Sequence, residues 1–289
     1  MRLRTLPLSL AGVILGLLLA DCTSWAVILF TLLTTVCLQI LSNISNELGD
    51  YLTGVDTDER TVAAYSLVQG GLSVKDERRL IALFVVLCCT FGALLVWSSF
   101  GTLFALQPII MLLLGAGAIV AAMRYTLGRN PYGYRGWGDL FVLIFFGWVS
   151  VMGGYYVVTH TLSVWLLLPA SAVGFFSIGV LNVNNIRDME SDAGKRITVP
   201  LKIGEHNAKI YHTILIGGGW LMLIIYLCFQ AVTGWQWLCL LTLPLYARHL
   251  HGVLTRTGSR LDTMLPLLVI STFILSLLLG LPHLLTNIR

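Results

Sequence analysis

The chain is 289 residues long, 57% hydrophobic and only 11% charged, with a net charge of +4. A water-soluble domain carries about 25% charged residues, so this composition excludes a soluble globular protein and makes the lipid bilayer a partner. The small net charge also argues against nucleic acid as a partner.

A helix needs about 20 apolar residues to cross a bilayer. In chain order, apolar runs at roughly 5–20, 25–45, 80–97, 103–123, 139–158, 163–183, 210–230, 234–248 and 264–284 predict an all-α, polytopic membrane bundle of about nine helices. The first run has no small-x-small cleavage site after it and reads as a retained span. The first and eighth runs are short, and the eighth carries Pro244. Cys22, Cys37, Cys88, Cys89, Cys228 and Cys239 lie in or beside these runs without CxxC spacing, and read as small hydrophobes. The connections 1–2, 3–4, 5–6 and 7–8 contain no Lys or Arg, and 17 of the 18 basic residues fall on the opposite side. The positive-inside rule then places the amino terminus and that face in the cytoplasm, in the cytoplasmic (inner) membrane. Thirteen of the 14 acids lie on the same side. Topology does not account for them, because Asp and Glu contribute little to orientation.

Two polar clusters stand at the cytoplasmic ends of runs two and six. Asn46-Glu47-Leu48-Gly49-Asp50 and Asn184-Asn185-Ile186-Arg187-Asp188 both read Asn-x-x-x-Asp, followed by Asp56 and Asp192 respectively. Residues i and i+4 share a helix face, so Asn46 lies over Asp50, Asn184 over Asp188, and Asp188 over Asp192. One reading is a single domain, 1–289, built by duplication of halves of about 1–137 and 138–289; a chance match is the other. Acids near hydrocarbon mark functional sites by default, against the plainer reading of solvated helix ends. Magnesium is usually held by one or two carboxylates plus substrate phosphates. Asp50, Asp56, Asp188 and Asp192 are therefore expected to hold Mg2+ on a diphosphate, with Asn46 and Asn184 as neutral contacts. Arg60, Lys75, Lys195 and Arg196 are placed to take the remaining phosphate charge. A diphosphate ester with a long isoprenoid tail fits this membrane setting. Its allylic carbon becomes electron-poor as diphosphate departs, which calls for cations at the leaving group and a dry, aromatic surround. A secondary transporter with carboxylate cation sites is the rival class, but such sites usually lie near the bilayer midplane.

The pattern resembles the UbiA superfamily of intramembrane prenyltransferases over nearly the whole chain. The superfamily's Asn-Asp-x-x-Asp motif corresponds to 46–50, with Glu47 as a departure, and its Asp-x-x-x-Asp motif to Asp188 and Asp192. Within it, Arg4-Thr5-Leu6-Pro7, the segment 38–43, the loop Tyr125–Tyr134, Gly136-x-Gly138-Asp139 and the segment 180–188 resemble the 1,4-dihydroxy-2-naphthoate polyprenyltransferase branch. The resemblance implies polyprenyl diphosphate and 1,4-dihydroxy-2-naphthoate as substrates, with decarboxylation to demethylmenaquinone. Other acceptors in the superfamily, 4-hydroxybenzoate, homogentisate and haem, are the alternatives. It further implies catalytic roles for Asp50, Asp188, Tyr125 and Arg129. Tyr132, Tyr134, Arg135 and Asp139 become candidate substrate contacts. The plainer readings are belt tyrosines at the interface, a lipid-headgroup arginine and an N-terminal helix cap at Asp139. The family's Gly-Pro-x-Arg stretch is replaced here by Ala63-Ala64-Tyr65-Ser66.

Overall fold

A computed structural model describes residues 5–54, 71, 73–230 and 234–286. Asp56, Arg60 and the altered stretch 63–66 lie outside these residues. Among the described residues the regular elements are helices, with one isolated bridge between Arg135 and Ile197. We label its principal helices α1 (Leu6–Leu19), α2 (Trp25–Leu52), α3 (Val74–Phe100), α4 (Leu106–Arg124), α5 (Gly138–Thr159), α6 (Leu167–Arg187), α7 (Val199–Gln230), α8 (Leu243–Thr255) and α9 (Met264–Thr286). Each answers to one of the nine apolar runs.

Seven of these regions are long and apolar enough to cross a bilayer: α2 to α5, α6 with its lead-in turn, α7, and α9 with the turn before it. Helices α1 and α8 have only 14 and 13 residues. At about 1.5 Å per residue they reach roughly 20 Å, short of the hydrocarbon thickness. The eighth run therefore differs from a plain span. Gly234–Thr242 is a 3-10 segment, and Pro244 begins α8, where its missing N–H costs nothing. The seventh helix starts 11 residues before the apolar run at 210, because Val199–Lys209 continues it across a break at Gly204 (φ 81°).

Lipid-facing residues such as Leu83, Val86, Leu113, Ile214 and Leu221 are exposed, as a bilayer solvent allows. The core lies between helices whose backbones approach closely. A Cβ added at Gly16 of α1 would fall 2.2 Å from the Val151 carbonyl of α5, and one at Gly147 of α5 would fall 2.7 Å from the Ala170 carbonyl of α6. Gly12-x-x-x-Gly16 is thus a small-residue face that seats α1 on α5. In the run 217–219, Gly219 faces Phe176 and Gly218 faces Phe175, whereas Gly217 meets nothing. Helix α6 packs on α7 and on the middle of α5, and α2 on α3 and α4.

Buried His212 and His249 link α7 to α8, Nε2 to Nε2, at 2.9 Å. His249 Nδ1 lies 3.0 Å from the Met264 carbonyl, which can only accept, so Nδ1 carries the proton. With both rings neutral, His212 then donates from Nε2 to His249. The six cysteines are unpaired.

Candidate active site

A cavity of about 600 Å³ runs between the α2–α3–α4 side and the α5–α6 side, under α1 and α9. Asp50 and Thr31 both line it on α2. Nineteen residues of helix separate them, about 28 Å, so the cavity extends through nearly the full hydrocarbon depth.

One end is polar. Asn46, Asp50, Asn184, Asn185, Arg187, Arg196 and Asp262 all face it. Asp50 is 2% exposed and accepts a hydrogen bond from the Tyr134 hydroxyl at 2.7 Å. Burial, and then the Asp50 carboxylate, push the Tyr134 phenol well above its ordinary range, so it stays protonated and can only strengthen as a donor to Asp50. Tyr134 reaches α2 because its loop docks there. A Cβ at Gly49 would sit 2.6 Å from Thr126, and Thr126 Oγ1 donates to the Ser45 carbonyl at 2.9 Å, 3.2 Å from Asn46 Oδ1. Glycine at 49 is what lets the 125–134 loop lie against the first cluster. The same loop accepts from Ile197 N at the Tyr134 carbonyl (2.9 Å), which ties it to the segment after the second cluster.

The second cluster is organised by arginines. Arg187 Nε and Nη2 each donate at 2.8 Å to the two oxygens of Asp188. Nη2 also donates to Asn184 Oδ1 at 2.8 Å, and Nη1 to Asp262 Oδ1 at 2.9 Å. A planar guanidinium with five N–H donors meets this set in a way an ammonium does not. Asp192, fully buried, pairs with Arg196 at 2.5 Å. Neither Asp188 nor Asp192 lines the cavity itself; their arginines do.

Beside the mouth the wall turns aromatic. Tyr125 meets Tyr132 edge-on at 5.3 Å, Tyr132 stacks on Phe141 at 3.8 Å, and Phe141 on Phe145 at 6.2 Å, all along the cavity wall. Leu143–Val149 is π-helical. The wider turn keeps Phe141, Phe145, Val149 and Gly153 on the cavity side, and such segments recur at functional sites. Burial, then neighbouring Tyr125, hold the Tyr132 phenol protonated, and it donates to the Ala121 carbonyl at 2.8 Å.

Of the residues singled out from sequence, Asn46, Asp50, Tyr125, Tyr132, Asn184 and Arg196 meet at the cavity. Asp188, Asp192 and Tyr134 join it through one hydrogen-bonded partner each. Others stand apart. Helix α4 ends at Arg124 and Gly128 has φ 101°, so Arg129 is not one turn beyond Tyr125 and is exposed off the cavity. Lys75, Lys195 and Arg135 are exposed and do not line it. Asp139 is not a helix cap: it accepts from the Tyr211 hydroxyl at 2.8 Å and lines a small adjoining depression that shares Tyr125, Leu181, Asn185 and Arg196 with the cavity wall. Sequence reasoning gave no role to Arg187, Asp262, Gln39 or the Phe141–Phe145 wall. Arg187 had a readable signal, being i+3 from Asn184 and beside Asp188. Asp262 had none, since 75 residues separate it from Arg187.

The oxygen-only donor set, with carboxylates and carboxamides at the mouth, is chemically suited to Mg2+. Among the described residues no three acids, histidines or cysteines form a ready metal cage.

A helical membrane bundle enclosing a greasy cavity with an acid–arginine mouth defines an intramembrane group-transfer enzyme. The chain belongs to the UbiA prenyltransferase family, whose family model matches residues 8–277. It is 40% identical over 263 residues to the 1,4-dihydroxy-2-naphthoate octaprenyltransferase of Escherichia coli (strain K12), covering 88% of this chain and 83% of the relative. The Haemophilus influenzae protein of the same description is 37% identical over 302 residues, covering 96% and 94%. In fold, the chain is similar to the apo structure of a UbiA homolog from Aeropyrum pernix K1, with a TM-score of 0.75 at 16% identity over 100% of both chains.

Proposed function

We propose that this prenyltransferase moves a polyprenyl group from polyprenyl diphosphate to 1,4-dihydroxy-2-naphthoate, giving demethylmenaquinone in its quinol form. The observation that carries the reading is the two-ended cavity: arginines and acids at the mouth, stacked aromatic rings and apolar helix faces below. The relatives named for this activity, at 40% and 37% identity over most of both chains, support the acceptor.

In this reading the diphosphate lies at the mouth, where Arg187 and Arg196 take its charge. Asp50, with Asn46 beside it, would hold Mg2+, while Asp188 and Asp192, spent on Arg187 and Arg196, orient those guanidinium groups; when bound, the ion supplies charge neutralisation for the departing diphosphate. The prenyl chain lies along the aromatic wall. As the allylic C–O bond breaks, the faces of Tyr125, Tyr132 and Phe141 stabilise the positive carbon, and the apolar surround keeps water from it. A ring carbon of the acceptor forms the new C–C bond, and the ring loses its carboxylate as CO2 while diphosphate carries away the electrons of the broken C–O bond. Tyr134 holds Asp50 in place. The 1–289 chain acts as one catalytic domain, in the cytoplasmic membrane, with the mouth on the cytoplasmic side, as the basic-residue bias favours.

The test is product analysis. Purified protein in detergent, given both substrates and Mg2+, is expected to yield the prenylated, decarboxylated naphthalene diol by mass spectrometry. Folded protein that gives no such product overturns the proposal.

A further inference from the structure

The cavity has two unlike walls. Opposite the aromatic wall of α5, helix α2 presents Thr31, Thr35, Gln39, Asn43, Asn46 and Asp50 to the cavity, each three or four residues from the next. An isoprenoid chain has no polar atom, and polar groups buried without partners cost free energy. The prenyl group therefore accounts for the α5 wall and not for this one.

At its centre is Gln39, 7% exposed and two helical turns deeper than Asn46. Its Nε2 donates to Thr5 Oγ1 at 2.9 Å and to Asn43 Oδ1 at 3.2 Å, and its Oε1 accepts from Ser9 Oγ. The carboxamide is thus fixed in one orientation, and it fixes its neighbours. Asn43 has its oxygen turned to Gln39, which points its Nδ2 the other way within the amide plane. Thr5, Ser9, Gln39 and Asn43 all line the cavity. Deeper on the same face, buried Thr31 Oγ1 has no hydrogen-bond partner among the described residues. A polar strip that served only to join α1 to α2 would have no reason to continue there. Asn43 is seven residues from Asp50, about 10 Å along the helix, which puts the strip just below the diphosphate and across from the aromatic wall.

We infer that the Gln39–Asn43–Ser9–Thr5 network is the seat for a ring hydroxyl of the aromatic acceptor, holding the ring between α2 and the allylic carbon. A hydroxyl both donates and accepts, and an amide–hydroxyl network offers it both. This inference rests on the prenyl-transfer reading above. It adds that acceptor recognition lies on α1 and α2, away from the 125–139 loop.

The experiment compares wild-type protein with Gln39→Leu, and measures KM separately for 1,4-dihydroxy-2-naphthoate and for polyprenyl diphosphate. The acceptor KM should rise about tenfold or more, the loss expected when a buried hydrogen-bonding site is emptied, while the diphosphate KM stays unchanged. The monohydroxy analogue 1-hydroxy-2-naphthoate should be the poorer acceptor for wild type but nearly equal to the diol for the variant. Ser9→Ala, a smaller change, should move the acceptor KM in the same direction and serves if Gln39→Leu does not fold. An acceptor KM that does not move, or both KM values rising together, overturns the inference. Wild-type protein that makes no prenylated naphthoate overturns the function itself, and is read before any variant.

Discussion

Arg187→Lys is the sharpest test of how the mouth works. Arg187 spends three nitrogens on Asp188, Asp262 and Asn184, at 2.8–2.9 Å. It is 11% exposed, so water replaces little of what is lost. Lysine keeps the charge but has one nitrogen, and cannot span Asp188 and Asp262 in the same plane. At least two charge-assisted bonds disappear. Such bonds contribute about 1.5–3 kcal/mol each, and partial rescue by the ammonium and by water leaves a net loss of about 2–4 kcal/mol. Each 1.36 kcal/mol is tenfold, so kcat/KM for polyprenyl diphosphate should fall by about 30- to 1,000-fold. Single-turnover prenyl transfer with the acceptor saturating reads this directly. Asp262→Asn leaves the Arg187–Asp188 pair intact and should cost less, about tenfold, in the same assay. If Arg187→Lys stays within about threefold of wild type, simple charge suffices at this position and the fork geometry has no role.

Three further substitutions probe the other parts. Asp50→Asn removes the cavity-lining carboxylate with almost no change in shape, and should lower turnover by about 100-fold or more while thermal unfolding in detergent is unchanged; near-normal turnover would detach Asp50 from the chemistry. Gly49→Val should displace the 125–134 loop, because even a Cβ meets Thr126 at 2.6 Å; protease sensitivity in that loop should rise along with loss of activity, and an active, protease-resistant variant would contradict the docking. Tyr134→Phe removes one hydrogen bond to Asp50 and should cost about 3- to 10-fold in kcat. Burial and Asp50 raise the Tyr134 pKa above its ordinary value, so the phenol is protonated below and through pH 10, and any stability it adds persists there. The alkaline limb of the wild-type pH profile should therefore survive unchanged in Tyr134→Phe; its disappearance would mean that Tyr134 titrates in the working range.

The spans were legible because bilayer solvent leaves an unmistakable mark, a run of apolar residues with charge only at its ends. Where the match loosened, a local rule overrode length. Gly204 and the polar turns before residue 210 hid the first third of α7, and the 3-10 segment 234–242 looked like a span because it is equally apolar. The residues at 46, 50, 184 and 188 stood out for the same reason, as polar groups where apolar ones are expected. Lys75 and Lys195 were drawn in by charge and proximity in sequence, and Arg129 by the family resemblance; the fold leaves all three exposed and off the cavity. Asp262 could not be found at all, because its place at Arg187 depends on how α9 returns to the end of α6. The aromatic wall was equally hidden: its register depends on the π-helical turns of α5, which no simple hydrophobic period announces.

The two Asn-x-x-x-Asp clusters look equivalent in sequence and are not equivalent in space. Asp50 faces the cavity and accepts a hydrogen bond from the Tyr134 hydroxyl. Asp188 and Asp192 lie behind their own arginines, which face the cavity in their place. The first cluster therefore presents an anion and the second presents cations. A diphosphate brought in with a divalent ion carries both signs, and meets a complementary surface on each side. Had both clusters presented bare carboxylates, the anionic substrate would be repelled until metal arrived. In the proposed function, Arg187 and Arg196 in front would draw diphosphate to the mouth from the start, with the acids behind them holding those guanidinium groups in place.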